Sequence, residues 1–155
     1  MKSHHVLAGM LLMICVSARD NASTASRCGG TENSRAVVRD FYQLALIDRH
    51  PAEAFSRYMS ADFLDHKADL AQPTRDGIST YLEGMIRTLP EARWEIIRIV
   101  ADGDMVSLHA RFTPSPNAPP YAIADFFRLK GCKIVEHWDV VAPPPEKQRN
   151  PNSRF

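Results

Sequence analysis

Residues 123–141, IADFFRLKGCKIVEHWDVV, constrain the fold more than any other stretch of this 155-residue chain. Two runs rich in Ile, Val, Phe and Trp flank Leu129-Lys130-Gly131, and glycine at the third loop position suits a three-residue hairpin closed by a left-handed bulge. The stretch therefore reads as a β-hairpin. In that register Arg128 faces Cys132, Phe126 faces Ile134, Asp125 faces Val135 and Ile123 faces His137. Asp125, His137 and Asp139 then share one face, and Phe126, Ile134 and Trp138 form an apolar surface on the other. A two-residue Lys130-Gly131 turn would instead set Asp125 beside Glu136, because a one-residue slip sends every side chain to the opposite face. The first register is preferred for its coherent apolar face. It gathers two carboxylates and an imidazole where charge is costly unless paired, hydrogen-bonded or protonated.

The chain has room for one domain with a real core and a tail at each end. Lys and Arg number 19 against 18 Asp and Glu, scattered and without aromatic interleaving, which points away from nucleic acid and toward a small molecule. Residues 1–18 combine Lys2, an apolar run from Val6 to Val16 and a small Val16-Ser17-Ala18 end. This is the pattern of a cleaved secretory signal, too short for a mature membrane anchor, and it implies a secreted or periplasmic protein. An uncleaved membrane-associated tail is the alternative. After cleavage Cys28 and Cys132 remain, which could pair in an oxidising compartment or stay incidental.

Residues 19–32 read as a disordered polar leader and 33–142 as the domain, with 143–155 a Pro-rich surface tail. Within the domain, Val37, Phe41, Leu44 and Ala45 recur at helical spacing, predicting a first helix over 34–48 capped by Asn33 or Ser34. Pro51 opens a short helix over 52–59. Residues 60–71 have no sustained period and read as a turn-rich connection closing over something. A third helix follows over 74–89, ended by Pro90. Strands over 93–100 and 105–113 join at Asp102-Gly103, and a Pro-rich link leads to the final hairpin. Helices followed by antiparallel strands predict an α+β fold, its helices covering one face of a curved sheet over a pocket.

Four residues are candidates for chemistry. Asp139, in an apolar strand, would have its protonated form favoured and could act as an acid or base; otherwise it is a strand-end carboxylate reaching solvent. Asp125 could share a proton with it, or else pair with a helix arginine. His66 sits on the irregular segment, where reactive groups are common, or is simply solvated. His137 could orient a substrate or its neighbouring Asp, or be a hydrogen-bonded core histidine. Tyr58, Met85 and Phe127 are candidate pocket walls. His66, His137, Asp125 and Asp139 form no compact metal-ligand spacing, so no metal is assigned. No Gly-rich phosphate loop or nucleophile elbow is present.

Three segments carry a family resemblance: Phe41-Tyr42, Phe63-Leu64-Asp65-His66, and above all the run from Gly131 to Val140, GCKIVEHWDV. Over about residues 33–142 the chain resembles SnoaL-like proteins of the nuclear-transport-factor-two-like superfamily. The resemblance implies a cone-shaped, cystatin-like α+β barrel, in which a bent antiparallel sheet wraps around N-terminal helices and encloses an apolar pocket. It also implies cofactor-free chemistry of cyclase, isomerase, dehydratase or hydrolase type on an apolar small molecule, and a homodimer. It matches the family's acid/base Asp to Asp139, its polar partner to Asp125 and a loop His to His66, with Lys67 where Asn is usual. The enzyme reading has Asp139 abstract a proton next to a carbonyl, Asp125 or His66 meet the enolate, and His137 orient Asp139. The competing reading is a non-catalytic exported ligand-binding or dimeric accessory module.

Overall fold

The computed structural model describes residues 30–155. The signal expected over residues 1–18, most of the expected leader and Cys28 lie outside the described residues. Helix α1 (Thr31–Tyr42) runs into one π turn (Gln43–Ile47), closed where Asp48 N–H donates to the Gln43 carbonyl at 2.8 Å. Helix α1 thus starts three residues before the expected Ser34. Ser34 does not cap it: its hydroxyl donates to the Gly30 and Gly103 carbonyls, tying the helix to the β2–β3 turn. Helix α2 (Pro51–Tyr58) has Pro51 in its first turn. Helix α3 (Arg75–Thr88) starts on Thr74, whose hydroxyl accepts from the Gly77 amide.

Five strands, β1 (Met59–Asp65), β2 (Arg93–Asp102), β3 (Met105–Thr113), β4 (Tyr121–Lys130) and β5 (Lys133–Ala142), form one open sheet in the order β1-β5-β4-β3-β2. It is antiparallel except for the parallel β1–β5 pair. The three helices cover one face, giving the expected α+β cone. Strand β1 corrects the turn-rich reading of 60–71. Its inward residues Met59, Phe63 and Asp65 are buried, but an irregularity between Met59 and Leu64 blurs the strict alternation a strand would display.

The final hairpin also differs in register. Lys130 pairs with Lys133 around a two-residue Gly131-Cys132 turn, and Asp125 faces Asp139, Phe126 faces Trp138 and Phe127 faces His137. Gly131 adopts φ +62°, which a glycine tolerates without strain. Leu129 pairs with Ile134 and Arg128 with Glu136, leaving Val135 as a bulge. Ile134 is consequently in the core and fully buried, not on the outer apolar face with Phe126 and Trp138.

The core lies between the helices and the inner sheet face, with Val38, Ala45, Ala54, Leu108 and Ala110 inaccessible. Phe41 makes edge-to-face contacts with Phe55 at 5.2 Å and Phe127 at 6.0 Å, joining both helical layers to β4. The tail folds back on the outer face, where the Phe155 ring stacks on His109 and lies 4.3 Å from the Arg111 guanidinium.

Candidate active site

A cavity of about 130 Å³ opens between α1, α3 and the inner sheet face. Phe41, Phe55, Ile78, Leu82, Met85, Trp94, Ile123 and Phe127 make most of it apolar, while Tyr42, Asp65, Lys67, Asp125, His137 and Asp139 form its polar side. Strand pairing explains the polar cluster. Asp65 and His137 are partners across β1–β5, and Asp125 and Asp139 across β4–β5. Same-face alternation turns all four inward.

His137 is the centre of this cluster. Its Nδ1–H donates to Asp65 Oδ2 at 3.0 Å and its Nε2–H to Asp125 Oδ1 at 3.1 Å, and the ring stacks on Phe127 at 4.8 Å. Burial alone would push the imidazole pKa down, but the two carboxylates overturn that and raise it to about 9. At neutral pH His137 is therefore a cation with both N–H groups engaged.

The two flanking carboxylates are not equivalent. Asp65 is buried, which opposes its charge, yet His137 and the Lys67 backbone amide, at 2.8 Å from Oδ1, together hold it below the usual carboxylate range. Both its oxygens are satisfied. Asp125 is pushed up by burial, with His137 pulling against this and Asp139 and Asp65 adding to it. Its Oδ2 is buried without a hydrogen-bond partner. The Tyr42 phenol beside this carboxylate is raised well above its usual range by burial, then by the Asp125 charge and by its own hydrogen bonding to Asp125. Asp139 instead meets Lys67 Nζ at 3.0 Å.

Of the residues expected from the sequence, Asp125, His137, Asp139, Met85 and Phe127 border the cavity. His66 does not. It follows the inward Asp65 by one residue, so it lies on the outer face, stacked on Trp138 at 4.6 Å with Glu136 at 3.5 Å. Tyr58 packs edge-on to Phe41 at 6.4 Å and does not line the cavity. His137 orients Asp125, not Asp139. Asp65, Lys67 and Tyr42 were not among the expected site residues; with Leu64 exposed beside buried Asp65, residues 59–65 carry no apolar–polar alternation that would have found the first. Among the described residues no group of three or more His, Cys, Asp or Glu is arranged to hold a metal, and no helix is long and apolar enough to cross a membrane.

Residues 38–137 match the SnoaL-like domain. Among solved structures, a polyketide cyclase from Bacillus cereus ATCC 10987 superposes with a TM-score of 0.59 at 19% identity, covering 68% of this chain and 71% of its own. A ketosteroid isomerase from Kribbella flavida DSM 17836 gives 0.59 at 18% identity, covering 80% and 86%. The hydroxylase AclR from Streptomyces galilaeus gives 0.61 at 18%, covering 72% and 90%. All three activities are provisional names, and likeness at this identity speaks for the fold. No curated protein matches the chain.

Proposed function

The protein belongs to the SnoaL-like family, and from that premise we propose that it catalyses proton transfer next to a carbonyl on a small, largely apolar substrate, as an isomerase or cyclase without cofactor. The observation carrying this reading is Asp125 Oδ2, a buried carboxylate oxygen with no hydrogen-bond partner on a carboxylate that borders an apolar cavity. Burial strengthens it as a base by raising its pKa, and catalytic bases work best when their pKa approaches the working pH.

Asp125 takes the α-proton on Oδ2 while Oδ1 stays anchored to His137. Asp65 fixes the imidazolium from the far side, so the base keeps its aim as its charge changes. Phe41, Phe55, Trp94 and Phe127 exclude water that would quench the enolate. Returning the proton to another carbon gives isomerisation; attack of the enolate on a second carbonyl gives cyclisation. The proposed partners are the apolar small molecule and a second copy of the chain on the outer sheet face, where Phe126 and Val140 are exposed.

The test is hydrogen–deuterium exchange at the α-carbons of small cyclic ketones in D₂O, followed by NMR. The native protein should accelerate exchange above buffer, and Asp125→Asn should fold and lose at least about a hundredfold of that rate, the lower end for a general base. Unchanged exchange in folded Asp125→Asn would remove Asp125 from this role.

A further inference from the structure

Lys67 borders the same cavity from the segment following β1. Its ammonium carries three N–H donors. Among the described residues two carboxylates meet it: Asp139 Oδ2 at 3.0 Å and Asp69 Oδ1 at 3.3 Å. One donor is left, on a side chain only 18% exposed. Asp139 stands directly across the β4–β5 ladder from Asp125, so the carboxylate that holds the ammonium is a direct cross-strand partner of the proposed base. The same two carboxylates outweigh the effect of burial and raise the lysine pKa, which makes Lys67 a cation and not a nucleophile.

We propose that Lys67 binds the anionic oxygen of the ligand, and that substrates are enolisable carbonyl compounds whose oxygen reaches its free N–H while the α-carbon faces Asp125. The reaction step rests on the proton-transfer reading above. As the α C–H bond breaks, the proton passes to Asp125 Oδ2 and the C–H electron pair forms the new carbon–carbon double bond. The carbonyl π pair moves onto oxygen, where the charge meets Lys67. A donor already in place in a water-poor cavity stabilises that developing charge without reorganising. Asp139 is then a positioning residue: it holds Lys67 and does not touch the reacting atoms.

The anion-binding role is tested with 4-nitrophenol, whose phenolate mimics an enolate and is coloured only when ionised. The native protein should bind the phenolate and lower the apparent ionisation pH of the bound dye below that of the free dye. Lys67→Met should weaken phenolate binding roughly 10- to 100-fold, the range for one charge-assisted hydrogen bond. The double variant Lys67→Met/Asp139→Asn, which leaves only the solvent-exposed Asp69 carboxylate without its lysine, should show the same loss, whereas Asp125→Asn should keep phenolate binding. Native protein that takes the dye only as neutral phenol, or not at all, overturns the assignment, as does undiminished phenolate binding by the double variant. Lys67-dependent phenolate binding without ketone exchange supports this assignment and counts against the proton-transfer reading alone.

Discussion

The charge on His137 should make the fold lose stability in mild alkali. Its pKa rises from 6.5 to about 9 on folding because two carboxylates accept from its ring nitrogens in a buried setting. The folded state therefore holds a proton that the unfolded chain releases. A group raised on folding contributes its full stabilisation below the unfolded pKa, and that contribution disappears as pH climbs through the folded one. A rise from 6.5 to about 9 is worth about 3 kcal/mol, a large share of the 5–15 kcal/mol typical of a whole domain.

In urea unfolding across that interval the His137 contribution should be constant below pH 6.5 and fall by about 3 kcal/mol toward pH 9, with the His137 Cε1 proton titrating by NMR near the upper end. Asp125, also raised, adds a loss of the same sign, but its window opens at the carboxylate value of 3.8. Asp65, lowered, stabilises above 3.8 and loses that contribution as pH falls through its folded value. Asp65→Asn should bring the His137 midpoint down by removing one of its two anions. A native midpoint near 6.5, or stability that stays level between 6.5 and 9, would refute the charged His137 and the reasoning built on it.

Two further substitutions separate the cavity from the outer face and from the helix start. His66→Ala should leave ketone exchange unchanged and cost under about 1 kcal/mol in urea unfolding, because it removes only a surface stack on Trp138 and a long contact to Glu136. Gly77→Ala should destabilise by about 1–3 kcal/mol in the same assay, since a Cβ there would run into the Gln72 backbone carbonyl, which cannot swing away as a flexible side chain would.

The helices and the β2–β4 strands were legible because their signals are local. Pro51 and Thr74 mark helix starts, Pro90 marks a stop, and a glycine turn separates β2 from β3. In that turn Asp102 pairs with Met105 around Gly103-Asp104, one residue on from the expected Asp102-Gly103. Strand β1 was not legible because its only strand partner among the described residues, β5, lies some seventy residues away and runs parallel to it. Pairing at that distance leaves no turn signature, and the irregularity between Met59 and Leu64 removes the alternation. Losing β1 meant losing Asp65, and the reactive role passed by default to its visible neighbour His66. Lys67 was noticed only as a departure from the family pattern, whereas its position at the cavity depends on β1 being a strand.

The bulge at Val135 was the second hidden element, and the site depends on it. Ile134 and His137 are three residues apart, so in an unbroken strand one would face the core and the other solvent. The extra residue shifts the parity between them. Ile134 then closes the core opposite Leu129, and His137 turns into the cavity opposite Phe127. A regular strand could keep a buried Ile134 only by sending His137 outward, and Asp65 and Asp125 would then be two buried carboxylates with no cation between them. That arrangement would force at least one of them to take a proton. The bulge thus sets the ionisation state of the cluster as well as its geometry, by placing a cation between two carboxylates brought in on separate strands.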